Sequence, residues 1–585
     1  AAPAPRRPQR PRRARLGDPR RRLRAGMLIM AVLLSLFAGR LLQLQGLDPE
    51  AYAARAERTR LTTITLQATR GSITDREGVP LARTVAARAV TTDPKLVGDV
   101  GRTATRLAPL LGEDPDVLRE KLSRTDRRYA LLADGLTPQE GNAVEDLELE
   151  GVFVVDTLER DYAAGHVGAN VVGFVNAEGK GAGGIEYALD DVLVGHDGRR
   201  TYERSASGRV IPTGRDAERA AVPGRDVRLT LDRDIQWAAQ RALARQVRAA
   251  DAQSGTVVVM DASTGKILAL ATAPTFDPND PGASRADNRG NRAVSEVYEP
   301  GSTGKVMTAA AALESGKVTP MTEFTIPPVL QRGGGTFRDH TPHGTLRRTF
   351  AGVIAESSNI GTILAAERLG LKHLYPTFRD FGIAEPGGSG LPGASTGFLP
   401  EPAEWSATTP YTLAFGQGYS VNAVQMASVY ATIANDGVRV QPSVVDGYVE
   451  PDGSYTAVAP RHRTRVVSED TAQQVSRMLE MVVSDEGTAP GAVIPGYRVA
   501  GKTGTAERVD PRCGCYRGYT ASFIGYAPAD DDGLVTAVTL QDPKNGHYGG
   551  LLGGPVFTEV SSFALKAEGI APTGTQAPRL RLDGR

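Results

Sequence analysis

Cysteine is nearly missing from the 585 residues, with Cys513 and Cys515 the only two. A disulfide framework of the kind that staples small exported domains is therefore excluded. Two thiols also fall short of the four ligands of a structural zinc site. Both lie in Pro511-Arg512-Cys513-Gly514-Cys515-Tyr516, read as a loop, where a strained disulfide and a metal clip are the alternatives. No metal and no cofactor are expected. An overall charge of one sign is missing too: 68 Lys and Arg against 67 Asp and Glu leave a formal net charge of +1, so the balance does not favour a nucleic-acid partner. With 41% apolar residues the bulk is ordinary globular protein, long enough for two or three domains.

Long apolar runs are also scarce, with one exception. Ala25 to Gly39 is uninterrupted, and after Arg40 the run resumes as Leu41-Leu42-Gln43-Leu44. The uninterrupted part is shorter than the roughly 18 residues a spanning helix needs, but Arg40 sits near one end and can snorkel. A signal peptide competes, yet no small-x-small cleavage site follows. A transmembrane anchor over 25–45 is expected. Ahead of it, residues 1–24 carry ten arginines and one acid, a disordered tail that belongs in the cytoplasm, so that everything beyond about Leu47 lies outside.

Chemistry concentrates at Ser302-Thr303-Gly304-Lys305. The stretch follows Glu299-Pro300-Gly301 and opens an Ala-rich run to Glu314 that reads as a helix. Residues three apart share a helix face, so the Ser302 hydroxyl and the Lys305 amine should meet at the first turn. A serine needs a base to become a nucleophile, and a lysine serves as one when burial lowers its pKa. Alone the pattern also describes an N-cap serine beside a solvated lysine. Two further stretches change that: Glu356-Ser357-Ser358-Asn359 and Gly501-Lys502-Thr503-Gly504-Thr505.

Earlier in the chain, Arg70 to Ala82 reads as a β-hairpin around a turn with Asp, Gly and Pro. A short charged helix is expected from about Ala51 to Thr62. His166, among Gly-rich turns between Glu159 and Glu186, reads as structural. A composition break at 216–225 marks a domain start near 223, followed by an amphipathic helix around Ile235 to Val247 and a hairpin over 255–271. Gly496 to Thr503 matches a phosphate-binding loop in form, but no helix follows.

Ser-x-x-Lys, Ser-x-Asn and Lys-Thr-Gly in this order resemble penicillin-binding proteins and serine β-lactamases. Arg70-Gly71-Ser72-Ile73-Thr74-Asp75-Arg76-Glu77-Gly78 resembles the opening of the non-catalytic domain of class B penicillin-binding proteins, and with Lys-Thr-Gly-Thr-Ala it is similar to their cell-division (FtsI) type. The resemblance implies an α+β protein: a single N-terminal transmembrane helix, an elongated β-rich pedestal (dimerisation-like) domain over 46–222, a transpeptidase domain over 223–570 with an antiparallel sheet and helices, and a disordered tail over 571–585. It implies Ser302 as nucleophile, Lys305 as base, Ser357 as proton relay, Asn359 and Lys502 as further catalytic residues, and Thr503, Gly504 and Thr505 as substrate-binding. The implied reaction is septal D,D-transpeptidation of peptidoglycan stem peptides through an acyl-enzyme that β-lactams trap. The implied partners are an FtsW-type glycosyltransferase and other division proteins in the membrane. An elongation-type transpeptidase, a D,D-carboxypeptidase or a β-lactam-binding sensor are the alternatives, and no β-lactamase-type deacylating glutamate is identifiable.

Overall fold

The computed structural model describes residues 18–43, 45, 60–205, 210–459, 461–510 and 513–585. Two compact units emerge, one of residues 1–67 with 197–222 and one of residues 68–196 with 223–585.

The smaller unit begins with a helix, Pro19–Leu42, whose described residues are all exposed. Its mean hydropathy reaches 2.1, and its length and composition suffice to cross a membrane. The helix starts six residues before the expected anchor. Asp18 caps it by accepting from the Arg20 amide at 3.0 Å and Pro19 fits the first turn, so Arg20 to Arg24 are helical instead of disordered. The rest of the expected arginine tail lies outside the described residues. So does most of the expected 51–62 helix, and its last two residues open a strand instead. That strand, Leu61–Leu66, pairs with Gly198–Glu203, which pairs with Asp216–Arg219.

In the larger unit the expected hairpin forms between Ile73–Thr74 and Pro80–Thr92. Asp75 holds its turn, accepting from the amides of Glu77 at 3.0 Å and Val79 at 2.8 Å. Ile73 and Thr74 run parallel to Asp226–Leu229 in a seven-stranded sheet. Within the larger unit, residues 68–196 of the expected 46–222 pedestal pack with the catalytic part, through Arg76 on Glu568 and through the Gly168 amide on Gln240 at 2.9 Å. The backbone carbonyl of His166 belongs to the same seam, accepting from Gln240 at 2.9 Å.

Glu186 is fully buried between Arg70 and Arg160, 2.7 Å from each. Removing one partner of such a cluster leaves buried charge uncompensated. Glu186→Ala is expected to cost about 3–5 kcal/mol of unfolding free energy, read from urea midpoints at a constant slope; a loss under about 1 kcal/mol would contradict this account.

The core of the larger unit is a five-stranded antiparallel sheet of β1 (Ser254–Asp261), β2 (Ile267–Ala273), β3 (Ala500–Asp510), β4 (Cys515–Ala527) and β5 (Leu534–Gln541), in the order β2-β1-β5-β4-β3. Every residue of β2 and β5 is buried. Such near-continuous apolar strands mark a sheet covered on both faces. Around it pack α1 (Arg233–Ala249), α2 (Lys305–Glu314), α3 (Asn359–Leu369), α4 (Ala423–Ala434), α5 (Glu469–Glu480) and α6 (Gly554–Ala567). Position 500–503 is strand, so the phosphate-loop match is a chance overlap.

The expected disordered tail is also corrected. Leu582 is 6% exposed, its carbonyl accepts from the Thr349 amide at 2.8 Å, and Asp583 lies 2.7 Å from Arg348. Arg348 and Leu582 supply the charge and apolar surface that tie this segment down.

Candidate active site

Ser302 lies in a 3-10 turn, Gly301–Gly304, and the α-helix proper begins at Lys305. Gly301 sits at φ +54°, a region open to glycine, and a Cβ on Gly304 would come within 2.2 Å of the Tyr419 hydroxyl. Thr303 is pinned on both sides: its hydroxyl donates to Pro300 O at 2.7 Å and its carbonyl accepts from the Tyr430 hydroxyl at 3.0 Å. The following run, Val306 to Leu313, is wholly buried. Its small alanines let α2 pack closely against α3 and α5.

Lys305 is fully buried. Its ammonium donates to Ser357 O at 2.6 Å, Asn359 Oδ1 at 2.7 Å and Ser357 Oγ at 3.2 Å. It thus points at the Ser357–Asn359 loop; among the described residues the Ser302 hydroxyl makes no hydrogen bond. Burial pulls the Lys305 pKa down to about 7, against the opposing influence of Asp339. The loop itself is strained where it turns: Ser357 has φ +63°, unusual for a residue with a Cβ. Ser358 then caps α3, accepting from the Gly361 amide at 2.9 Å.

β3 is the sheet edge and brings Lys502 to Thr505 alongside the 301–304 turn. A Cβ on Gly504 would meet Ser522 Oγ at 2.3 Å and Pro300 O at 3.1 Å, which fixes glycine there. Lys502 is fully buried and, among the described residues, makes only long contacts, to Thr503 O at 3.4 Å and Thr503 Oγ1 at 3.3 Å. Burial, and then the charge of Lys305, hold its pKa well below the usual lysine value. Thr503 Oγ1 lies 3.0 Å from Thr488 Oγ1. Ser302, Ser357, Asn359, Thr503 and Thr505 line one cleft of about 630 Å³, whose far wall includes Tyr548 and Gly549.

Sequence reasoning missed the group behind this loop. The Asp339 carboxylate accepts from Ser358 Oγ at 2.6 Å and the Ile360 amide at 2.9 Å, and lies 3.0 Å from His343 Nε2. The Asn359 side chain donates through Nδ2 to Arg338 O at 3.1 Å. The contact of His343 with Gly344 O, then that with Asp339, holds its pKa above the usual histidine value. The only sequence signal was an acid with two histidines in Asp339-His340-Thr341-Pro342-His343. Because Asp339 favours the charged form of Lys305, Asp339→Asn is expected to move the acid limb of acylation by a β-lactam to lower pH and to slow it. A limb that stays in place, measured by stopped-flow across pH 5–9, would remove Asp339 from this account.

Glu299 clasps the 301–304 turn to the β3–β4 hairpin, accepting from the Gly418 amide at 3.0 Å and the Tyr516 hydroxyl at 3.1 Å. At the tip of that hairpin Cys513 and Cys515 form a disulfide, which settles the alternatives for this loop. Glu356 pairs with Arg348 at 2.8 Å.

Residues 255–562 match the family described as penicillin binding protein transpeptidase domain, and residues 65–229 match the penicillin-binding protein dimerisation domain. Penicillin-binding protein PbpB of Mycolicibacterium smegmatis is 36% identical over 603 residues, covering 96% of this chain and 92% of the relative. Peptidoglycan D,D-transpeptidase FtsI of Escherichia coli K12 is 32% identical over 558 residues, covering 94% and 92%. The crystal structure of penicillin-binding protein 3 from Mycobacterium tuberculosis complexed with aztreonam matches with a TM-score of 0.71 and 34% identity, over 89% of this chain and 100% of that one. A transpeptidase domain and a dimerisation domain in one chain, with relatives matched along nearly its whole length, make this protein a class B penicillin-binding protein.

Proposed function

We propose that this protein is a septal peptidoglycan D,D-transpeptidase, and that a β-lactam traps its acyl-enzyme. The observation that carries the reading is Lys305: a buried amine with a pKa near 7, cradled by Ser357 and Asn359 and facing the strand that bears Lys-Thr-Gly.

Ser302 attacks the carbonyl between the two terminal D-alanines of a stem peptide, and neutral Lys305 takes its proton. The Ser357 hydroxyl, 3.2 Å from that amine, hands its proton to the departing D-alanine and receives in turn the proton that Lys305 took from Ser302. Asn359 holds Lys305 through Oδ1, and its Nδ2, which donates to Arg338 O, turns to the substrate backbone when substrate binds. The amides of Ser302, at a helix start, and of Thr505, on an edge strand, receive the oxyanion. Each such donor is worth about 3 to 4 kcal/mol in the transition state. Lys502 and the hydroxyls of Thr503 and Thr505 bind the terminal carboxylate, with Gly504 giving room for close approach. An amine of a neighbouring stem then resolves the ester and forms the crosslink.

The helix Pro19–Leu42 anchors the chain once in the membrane, with Arg20 to Arg24 at its cytoplasmic end and the catalytic unit outside. There it works beside an FtsW-type glycosyltransferase and other division proteins, the first of which polymerises the glycan this protein crosslinks. Incubation with a pentapeptide donor and an amine acceptor tests the activity. Crosslinked dimer with release of one D-alanine is expected; D-alanine release with no dimer would replace transpeptidation by carboxypeptidase activity.

A further inference from the structure

The strands Glu323–Ile326 and Leu346–Thr349 pair antiparallel, and Ile326 and Leu346 line the catalytic cleft. Residues 581–584 dock on the other edge of Leu346–Thr349. Arg348 faces Asp583 across an antiparallel bridge, the Thr349 amide donates to Leu582 O at 2.8 Å, and the Gly584 amide donates to Arg347 O at 2.9 Å. This is the ladder pattern of an antiparallel sheet.

The receiving side is fitted to that segment. Thr349 caps the helix Phe350–Ala355, accepting from the Gly352 amide at 3.1 Å, and the same hydroxyl donates to Arg581 O at 2.6 Å. A Cβ on Gly352 would come within 2.3 Å of Leu582 O. Glycine within a helix costs stability relative to alanine, and here it makes room for the segment.

The same helix carries the Ser357 loop. The amides of Ser357 and Ser358 donate to Ile354 O at 3.2 Å and Val353 O at 2.9 Å, and Ser357 O and Oγ accept from Lys305. One guanidinium joins the two ends: Arg348 lies 2.7 Å from Asp583 and 2.8 Å from Glu356, the residue before Ser357. The positive φ of Ser357 is a conformation that persists only where its surroundings over-determine it.

We propose that residues 581–584 are a positioning strap of the catalytic cleft. Docked against Thr349, Gly352 and Arg348, they hold the Ser357 loop in the place where it orients Lys305. The proposal rests on the reading of this cleft as an acylating site.

The test is acylation of the full chain in detergent by a fluorescent penicillin, followed by stopped flow well below the melting temperature. Leu582→Asp puts a charge into the buried seat, and Gly352→Ala fills the seat from the opposite side. Each is expected to lower the limiting rate at saturating penicillin by roughly ten- to a hundred-fold, with circular dichroism unchanged. The half-saturating concentration should stay within about two-fold, because Ser357 and Lys305 act on the chemical step. Asp583→Lys, at a side chain 78% exposed, spares the core and should lower the limiting rate in the same direction. The free peptide Pro578–Arg585, at about 1 mM, the order of concentration a tether supplies, should restore Leu582→Asp but not Gly352→Ala, whose seat is filled. Folded variants with the limiting rate of the unmodified chain overturn the proposal and leave the reading of the cleft intact. A slow Leu582→Asp protein that the peptide does not restore overturns it too, as does a change confined to the half-saturating concentration. An unmodified chain that does not label overturns both the reading and the proposal.

Discussion

Ser302→Ala abolishes covalent labelling by a fluorescent penicillin, with the acylation rate falling by on the order of 10⁶, the scale on which loss of the nucleophile costs a serine hydrolase. The substitution removes only a hydroxyl that makes no hydrogen bond among the described residues. The turn that carries it is held through its neighbours Gly301, Thr303 and Gly304, so the fold should be untouched. Melting temperature and circular dichroism should therefore match the unmodified chain. Persistent labelling in a folded Ser302→Ala protein would move the nucleophile elsewhere in the cleft, with Ser357 the next hydroxyl along.

Lys305→Arg acylates about 10²–10⁴-fold more slowly, the range a general base contributes. A guanidinium keeps the charge and the donors but cannot give up its proton near neutral pH, so retained charge alone should not rescue the rate. In the unmodified chain acylation rises with pH through about 7, where Lys305 passes from ammonium to amine. Stability follows the same group with a definite sign. The unfolded chain keeps this proton up to about 10.5 and the folded one only to about 7, so between those values the unfolded state binds more protons. Stability is thus expected to rise with pH across that window and to lose this dependence below it. Acylation that is flat from pH 6 to 9, or an arginine variant at full rate, would take the base role away from Lys305.

The three motifs were legible because their chemistry demands particular residue types at particular spacings. Lys305 reaches Ser357 and Asn359 as such a reading anticipates, although the helix begins at Lys305 and not at Ser302. Helical spacing alone could not show that Gly301 bends the turn, nor that the amine would face a loop 52 residues away. Asp339 was illegible for a related reason: its partners Ser358 and Ile360 are 19 and 21 residues distant and are chosen by folding. Hairpins at 73–92 and 254–273 were readable from local turn chemistry. The seam between Ile73 and Val227 was not, because parallel pairing at such separation leaves no local trace. Composition likewise made residues 571–585 look unstructured, when one buried leucine and one ion pair are enough to seat them.

Two lysines buried beside one cleft have a consequence for the proton inventory of the proposed reaction. Lys502, held below its ordinary proton affinity by burial and by Lys305, regains that affinity when a ligand carboxylate arrives beside it. Wherever Lys502 is neutral, association is expected to draw a proton from solution, read as a binding heat that varies with the ionisation enthalpy of the buffer, and affinity for carboxylate-bearing ligands is expected to weaken as pH rises. Ester formation moves the other way, because Lys305 must be neutral. With capture favoured by acid and chemistry favoured by base, kcat/KM against pH is a bell, even though each lysine alone would give a single limb.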